Sequence, residues 1–80
     1  MQVTVRVYAS LRRHLPEKYS SNPIELELPE GTTVGEMIEK VLKLPHDSVK
    51  VVFVNGKHSD FDQLLSDGDR VGVFPPVAGG

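Results

Sequence analysis

Thr33-Val34-Gly35-Glu36-Met37-Ile38-Glu39-Lys40-Val41-Leu42 is the stretch of this chain whose apolar residues recur most clearly with the period of a helix. Val34, Met37, Ile38, Val41 and Leu42 follow one another at helical spacing in a single stripe, and Glu36, Glu39, Lys40 and Lys43 lie off it. Thr33 and Glu36 have the separation of a capping box, in which hydroxyl and carboxylate each satisfy an otherwise free amide of the first turn. A helix with one apolar face needs a second layer to cover it, and the sequence on both sides is strand-like.

Upstream, Val3, Val5 and Val7 alternate with Gln2, Thr4, Arg6 and Tyr8, and Ile24-Glu25-Leu26-Glu27-Leu28 repeats the same period of two. Ala9 to Leu15 has room for one or two helical turns before Pro16. Two strands joined by so short a connection are predicted to pair antiparallel. Downstream, Pro45 ends the helix and Val49 to Val54 reads as a strand running into Asn55-Gly56, the dipeptide suited to a type I′ hairpin turn, with a return strand to Ser59. Asp60 to Leu65 is expected to form one turn packed by Phe61, Leu64 and Leu65. Ser66-Asp67-Gly68-Asp69 is then a tight turn into a last strand, Arg70-Val71-Gly72-Val73-Phe74, which Pro75 and Pro76 terminate. The order ββαββ predicts an α+β roll: a mixed sheet crossed by one main helix, with the first and last strands side by side at its centre. Residues 1–76 form the domain, and residues 77–80 are read as a flexible tail.

A chain of 80 residues holds one core. With no cysteine it has neither a disulfide framework, nor a thiolate metal site, nor a cysteine nucleophile. A net charge of −2 is the wrong sign for coating phosphate backbones, so nucleic acid is not expected as a ligand. The apolar runs are far shorter than the roughly 18 residues of a membrane span, and no signal peptide or anchor is expected, which makes the cytoplasm the default location. His14, His46 and His58 fall in different elements without metal-site spacing, and Asp60-Phe61-Asp62 and Asp67-Gly68-Asp69 suit turns better than calcium loops. The serines lack a nucleophile elbow and the glycines form no phosphate loop. Glu25, Glu27, Glu30, Glu36 and Glu39 read as a solvated face. The chain is therefore expected to be no enzyme, and no metal is expected.

The last residues exceed what a fold requires. Gly79 and Gly80 add no packing, yet they follow Pro75-Pro76, which projects Val77-Ala78-Gly79-Gly80 as an extended strut. Without Cβ atoms such a tail enters a narrow channel and presents a carboxylate. A free carboxylate is a poor electrophile, so acyl transfer from Gly80 calls for an adenylate made from ATP by a partner enzyme, with AMP as the leaving group. Attack by a persulfide and reductive cleavage then leaves a thiocarboxylate, whereas attack by a thiol and then an amine gives an isopeptide.

The helix between strand pairs, the Asn55-Gly56 hairpin, Asp67-Gly68-Asp69-Arg70-Val71 and the terminal Phe74-Pro75-Pro76-Val77-Ala78-Gly79-Gly80 together resemble the MoaD/ThiS family of ubiquitin-like sulfur carriers. The resemblance implies a β-grasp fold, adenylation of Gly80 by a ubiquitin-activating-type enzyme that uses ATP, sulfur carried as a thiocarboxylate, and no tightly bound cofactor. Phe74-Pro75-Pro76 is similar to the small subunit of molybdopterin synthase, which implies molybdopterin or the related tungsten cofactor as destination and the synthase large subunit as a partner. The connection from Leu44 to Val49 is shorter than such subunits often have. Thiamine, tRNA thiolation and cysteine synthesis stay open as acceptor pathways, and conjugation to lysines is the competing role.

Strand alternation also makes a prediction about docking. It places Val3, Val5, Val7, Val49, Val51, Phe53, Val71 and Val73 toward the helix, and Thr4, Arg6, Tyr8, Lys50, Val52, Gly72 and Phe74 away from it. Val52 and Phe74 would then form an apolar partner-binding patch beside the root of the tail, with Gly72 leaving the surface flat between them.

Overall fold

The computed structural model describes residues 1–76. The alternation of the first segment becomes strand β1 (Gln2–Val7), with Val3, Val5 and Val7 buried and Arg6 exposed on the opposite face. A short 3-10 helix, Ala9–His14, buries Leu11 and leads through a second single turn to β2 (Ile24–Glu27), which lies antiparallel to β1 with Glu25 opposite Thr4.

Helix α1 (Val34–Glu36) opens with the predicted box. The Thr33 hydroxyl accepts the Glu36 amide at 3.1 Å, and the Glu36 carboxylate accepts the Thr33 amide at 3.0 Å. These bonds from the Thr33 backbone and then its hydroxyl hold the Glu36 carboxyl below its ordinary pKa. From Met37–Val41 the hydrogen bonds widen into a π-helix, the Leu42 amide reaching the Met37 carbonyl at 2.9 Å. Met37, Ile38 and Leu42 are fully buried, Val41 half-buried, so the predicted stripe is the face that packs on the sheet. Lys43, in the left-handed region at φ 58°, ends the helix.

The remaining strands are β3 (Val51–Val54), β4 (Lys57–His58) and β5 (Arg70–Phe74), in a five-stranded sheet of order β2-β1-β5-β3-β4. β5 is parallel to β1 and antiparallel to β3, which makes it the central strand, as the crossover through the helix predicts. Asn55 at φ 52° and Gly56 at φ 82° supply the two positive angles of the type I′ turn. This is the β-grasp architecture.

The stretch from Asp60 to Leu65 meets expectation in part. It closes a single turn, the Gln63 amide donating to the Asp60 carbonyl at 3.3 Å, with Leu65 buried and Phe61 packed on the core, but Leu64 is 62% exposed. The carbonyls of this stretch also serve α1: Phe61 accepts the Gly35 amide at 2.7 Å and Gln63 the Val34 amide at 2.9 Å. Gly35 is needed for that approach, because a Cβ there would lie 3.0 Å from the Phe61 carbonyl oxygen. The following aspartates are occupied by backbone. Asp67 accepts the Gln2 amide at 2.7 Å, and the buried Asp69 accepts the Ser66 amide at 2.7 Å and the Asn55 side-chain amide at 2.8 Å. No helix among the described residues is long and apolar enough to cross a membrane.

Candidate functional site

β5 delivers Phe74 to the end of the sheet from which the chain leaves through Pro75 and Pro76. The Phe74 ring is stacked on Tyr8, with centroids 4.4 Å apart and planes 4° from parallel. Phe53 meets the same ring edge-on at 5.8 Å and 88°, and His58 meets Phe53 edge-on at 6.0 Å and 89°. Each such pair contributes about 0.5–1.5 kcal/mol beyond its buried area. The rings around Phe74 therefore form a four-membered cluster drawn from β1's exit, β3, β4 and β5.

Val52 does not belong to it. It is 2% exposed and faces the helix, and Phe53, 37% exposed, takes the outer position that alternation assigned to Val52. Register explains the exchange: Val52 stands opposite the fully buried Val73, and Phe53 opposite Gly72. The phase slips before the strand begins. Val49 is buried as the end of a 3-10 turn, His46–Ser48, and the Lys50 amide bonds the Phe74 carbonyl at 2.9 Å although Val51 is Phe74's register partner. Two residues thus stand against one, as in a β-bulge, and every side chain after Lys50 lies on the face opposite to a straight count from Val49.

Gly72 also has another role than a flat gap. A Cβ there would lie 3.2 Å from a Phe74 ring carbon and 3.7 Å from one of Tyr8, so the missing side chain lets the Phe74 ring lean back over the strand. Two shallow grooves flank this ring. One, of about 630 Å³, is lined by Tyr8, Ala9, Val51, Phe74 and both prolines; the other, of about 360 Å³, has Gly72 in its floor and Arg6 and Arg70 on its walls. Pro75 is half-buried and Pro76 exposed. Val77, Ala78, Gly79 and Gly80 lie outside the described residues.

The histidines are dispersed, as their spacing predicts. His46 Nδ1 lies 2.8 Å from a Glu39 oxygen while its ring tilts on Phe61, and His58 packs on Phe53.

The sequence profile of a family described as Mut7-C ubiquitin matches residues 1–79. Among solved structures, the putative molybdopterin converting factor subunit 1 from Pyrococcus furiosus is 33% identical over 96% of this chain and 99% of its own, with a TM-score of 0.72. Small archaeal modifier protein 1 from Haloferax volcanii (19% identical, 95% and 98% covered, TM-score 0.70) shares the fold. So does a complex of subunits 1 and 2 of the molybdopterin-converting factor from Helicobacter pylori (20% identical, 100% of both chains, TM-score 0.62). A curated relative, cytochrome f of Chlorella vulgaris, is 37% identical in an alignment of 68 positions that covers 79% of this chain, and the chain spans about 20% of its length. That match, confined to a fifth of the relative, carries no activity to this chain.

Proposed function

Given that the chain belongs to the Mut7-C ubiquitin family, we propose that this ubiquitin-like protein is a sulfur carrier that acts through the carboxylate of Gly80. The observation that carries the reading is the 33% identity, along nearly the whole of both chains, to a putative molybdopterin converting factor subunit. The Gly80 carboxylate attacks the α-phosphate of ATP on an adenylating enzyme, displacing pyrophosphate. A persulfide sulfur then attacks the acyl carbon and AMP leaves. A thiol reduces the resulting acyl disulfide by two electrons, is itself oxidised to a disulfide, and frees the thiocarboxylate.

In this reading the chain is carrier and co-substrate, catalysis belongs to the partners, and the setting is the cytoplasm. Molybdopterin, or its tungsten counterpart, is the proposed destination, reached by docking on a large subunit. The aromatic cluster around Phe74 is the proposed contact for enzyme and acceptor alike, since a ring cluster beside the tail root is what a docking partner grips while the tail enters its site.

Intact-mass analysis after incubation with the adenylating enzyme of the same organism, ATP and a persulfide donor tests the proposal. The expected result is replacement of one oxygen by sulfur at Gly80, and absence of any adenylate would overturn it. Recovery of lysine isopeptides in place of the thiocarboxylate would assign the modifier role. Gly79→Val should abolish transfer and, on the reading that the tail packs nothing, change stability by no more than about 0.5 kcal/mol; a large loss on thermal melting would overturn that reading.

A further inference from the structure

We infer that the sheet face around Phe74 recognises a protein segment that pairs a carboxylate with an apolar side chain, the carboxylate seated between Arg6 and Arg70. The inference rests on the proposed carrier role and names the chemistry of the partner at that same site.

Arg6 and Arg70 are both exposed and line one groove whose floor is Gly72. Register puts them on the same face of adjacent parallel strands: Thr4 pairs with Arg70 and Arg6 with Gly72, so the two arginines are diagonal neighbours. Two like charges so placed repel unless an anion lies between them. Among the described residues neither guanidinium has a carboxylate within ion-pair distance. The nearby acids are engaged elsewhere: Glu25 accepts the Thr4 hydroxyl at 3.0 Å, and Asp69 is buried on Asn55 and Ser66. A planar guanidinium pair beside aromatic rings suits a carboxylate, which it binds through two parallel hydrogen bonds.

The second groove, on the far side of the Phe74 ring, is apolar, with Lys50 at its margin. Phe74, at the end of the same central strand, and the two prolines after it lie four to six residues beyond Arg70, roughly 13–20 Å at about 3.3 Å per residue. An extended segment with an acidic residue followed four or six positions later by Leu, Ile or Phe fills both grooves at once. Nucleic acid suits the face less well, because the positive charge in the groove is confined to two arginines on a chain whose net charge is −2.

The test measures ATP–pyrophosphate exchange by the organism's adenylating enzyme as a function of carrier concentration. Charge reversal at both positions, Arg6→Glu with Arg70→Glu, is expected to raise the KM for the carrier at least tenfold with kcat within twofold. Raising salt should increase the wild-type KM and leave that of the variant nearly flat. The milder Arg6→Gln with Arg70→Gln variant should fall between them, and Lys57→Glu, whose register partner Val54 puts it on the helix side, should match wild type. Circular dichroism melts identify any variant whose loss is one of folding, in which case the glutamine pair decides. Normal exchange by a folded charge-reversed pair would overturn this inference alone. No exchange with wild-type protein would overturn the carrier role and this inference with it, and binding of a single-stranded RNA 12-mer more tightly than the enzyme would assign the face to nucleic acid instead.

Discussion

Phe74 is at once a structural residue and the centre of the proposed contact. Its half-buried ring closes the end of the sheet against Tyr8 and Phe53, so Phe74→Ala should cost about 1–2 kcal/mol of stability through the lost ring pairs. It should also weaken binding to the adenylating enzyme or acceptor by about 1–3 kcal/mol, as truncation of an interface anchor does. Val52→Ala provides the contrast. Removing two methyl groups from a side chain at 2% exposure should cost about 2 kcal/mol of stability and leave the affinity of the folded protein within twofold. Urea titration and calorimetry on the two variants check both statements, and a binding loss confined to Val52→Ala would move the contact to the other face. Phe74 was legible in the sequence because Arg70 to Phe74 alternates with a glycine on its polar phase. Phe53 was not, since Val51-Val52-Phe53-Val54 is apolar throughout and has no alternation to read. Counting backward from Asn55-Gly56 shows that Val54 and Val52 share a face, but only the pairing with Val73 says which face that is.

At the scale of the element, the first turn of α1 was fully written in Thr33 and Glu36, because a capping box is local chemistry that tertiary context reinforces. Thr33→Ala should lower stability by about 1 kcal/mol. The linked pH effect has a definite sign. The Glu36 carboxyl is held low in the folded protein, so its contribution is fully present above the pKa of an unfolded glutamate, about 4.3, and is lost as pH falls through the folded value. The stability difference between wild type and Glu36→Gln should therefore shrink from pH 7 to pH 3, measured by chemical denaturation. The other end of the helix was not legible. The apolar stripe is compatible with α and π hydrogen bonding alike, and the widening that brings Leu42 onto Met37 is resolved only by packing. Its consequence is the left-handed Lys43, where Lys43→Gly should stabilise the protein by about 0.5–1 kcal/mol, seen as a higher melting temperature.

Across the whole molecule, the topology sets how firmly the tail is rooted. The sequence order of two strands, helix and hairpin was enough to place the first and last strands together, because a parallel pair requires a crossover and the helix supplies it. The result is that the strand leading to the C-terminal residues is flanked on both sides, by β1 along one edge and β3 along the other, while β2 and β4 take the sheet edges. Long-range bonds close over the strand's beginning as well: the Thr4 amide donates to the Asp69 carbonyl at 3.0 Å, the Asn55 amide to the Arg70 carbonyl at 2.7 Å, and the Asn55 side chain ties both residues together. A central strand so held opens only when the domain unfolds, whereas edge strands fray. Val71 and Val73 amides should accordingly exchange hydrogen through global unfolding, with protection that falls in urea as steeply as the unfolding equilibrium itself, and the β4 amides should exchange at least tenfold faster. Native-state hydrogen exchange measures this directly. Fast, urea-insensitive exchange at Val73 would mean that the root of the tail yields on its own, and a carrier that presents its terminus by local unfolding would then replace one that presents it from a rigid strand.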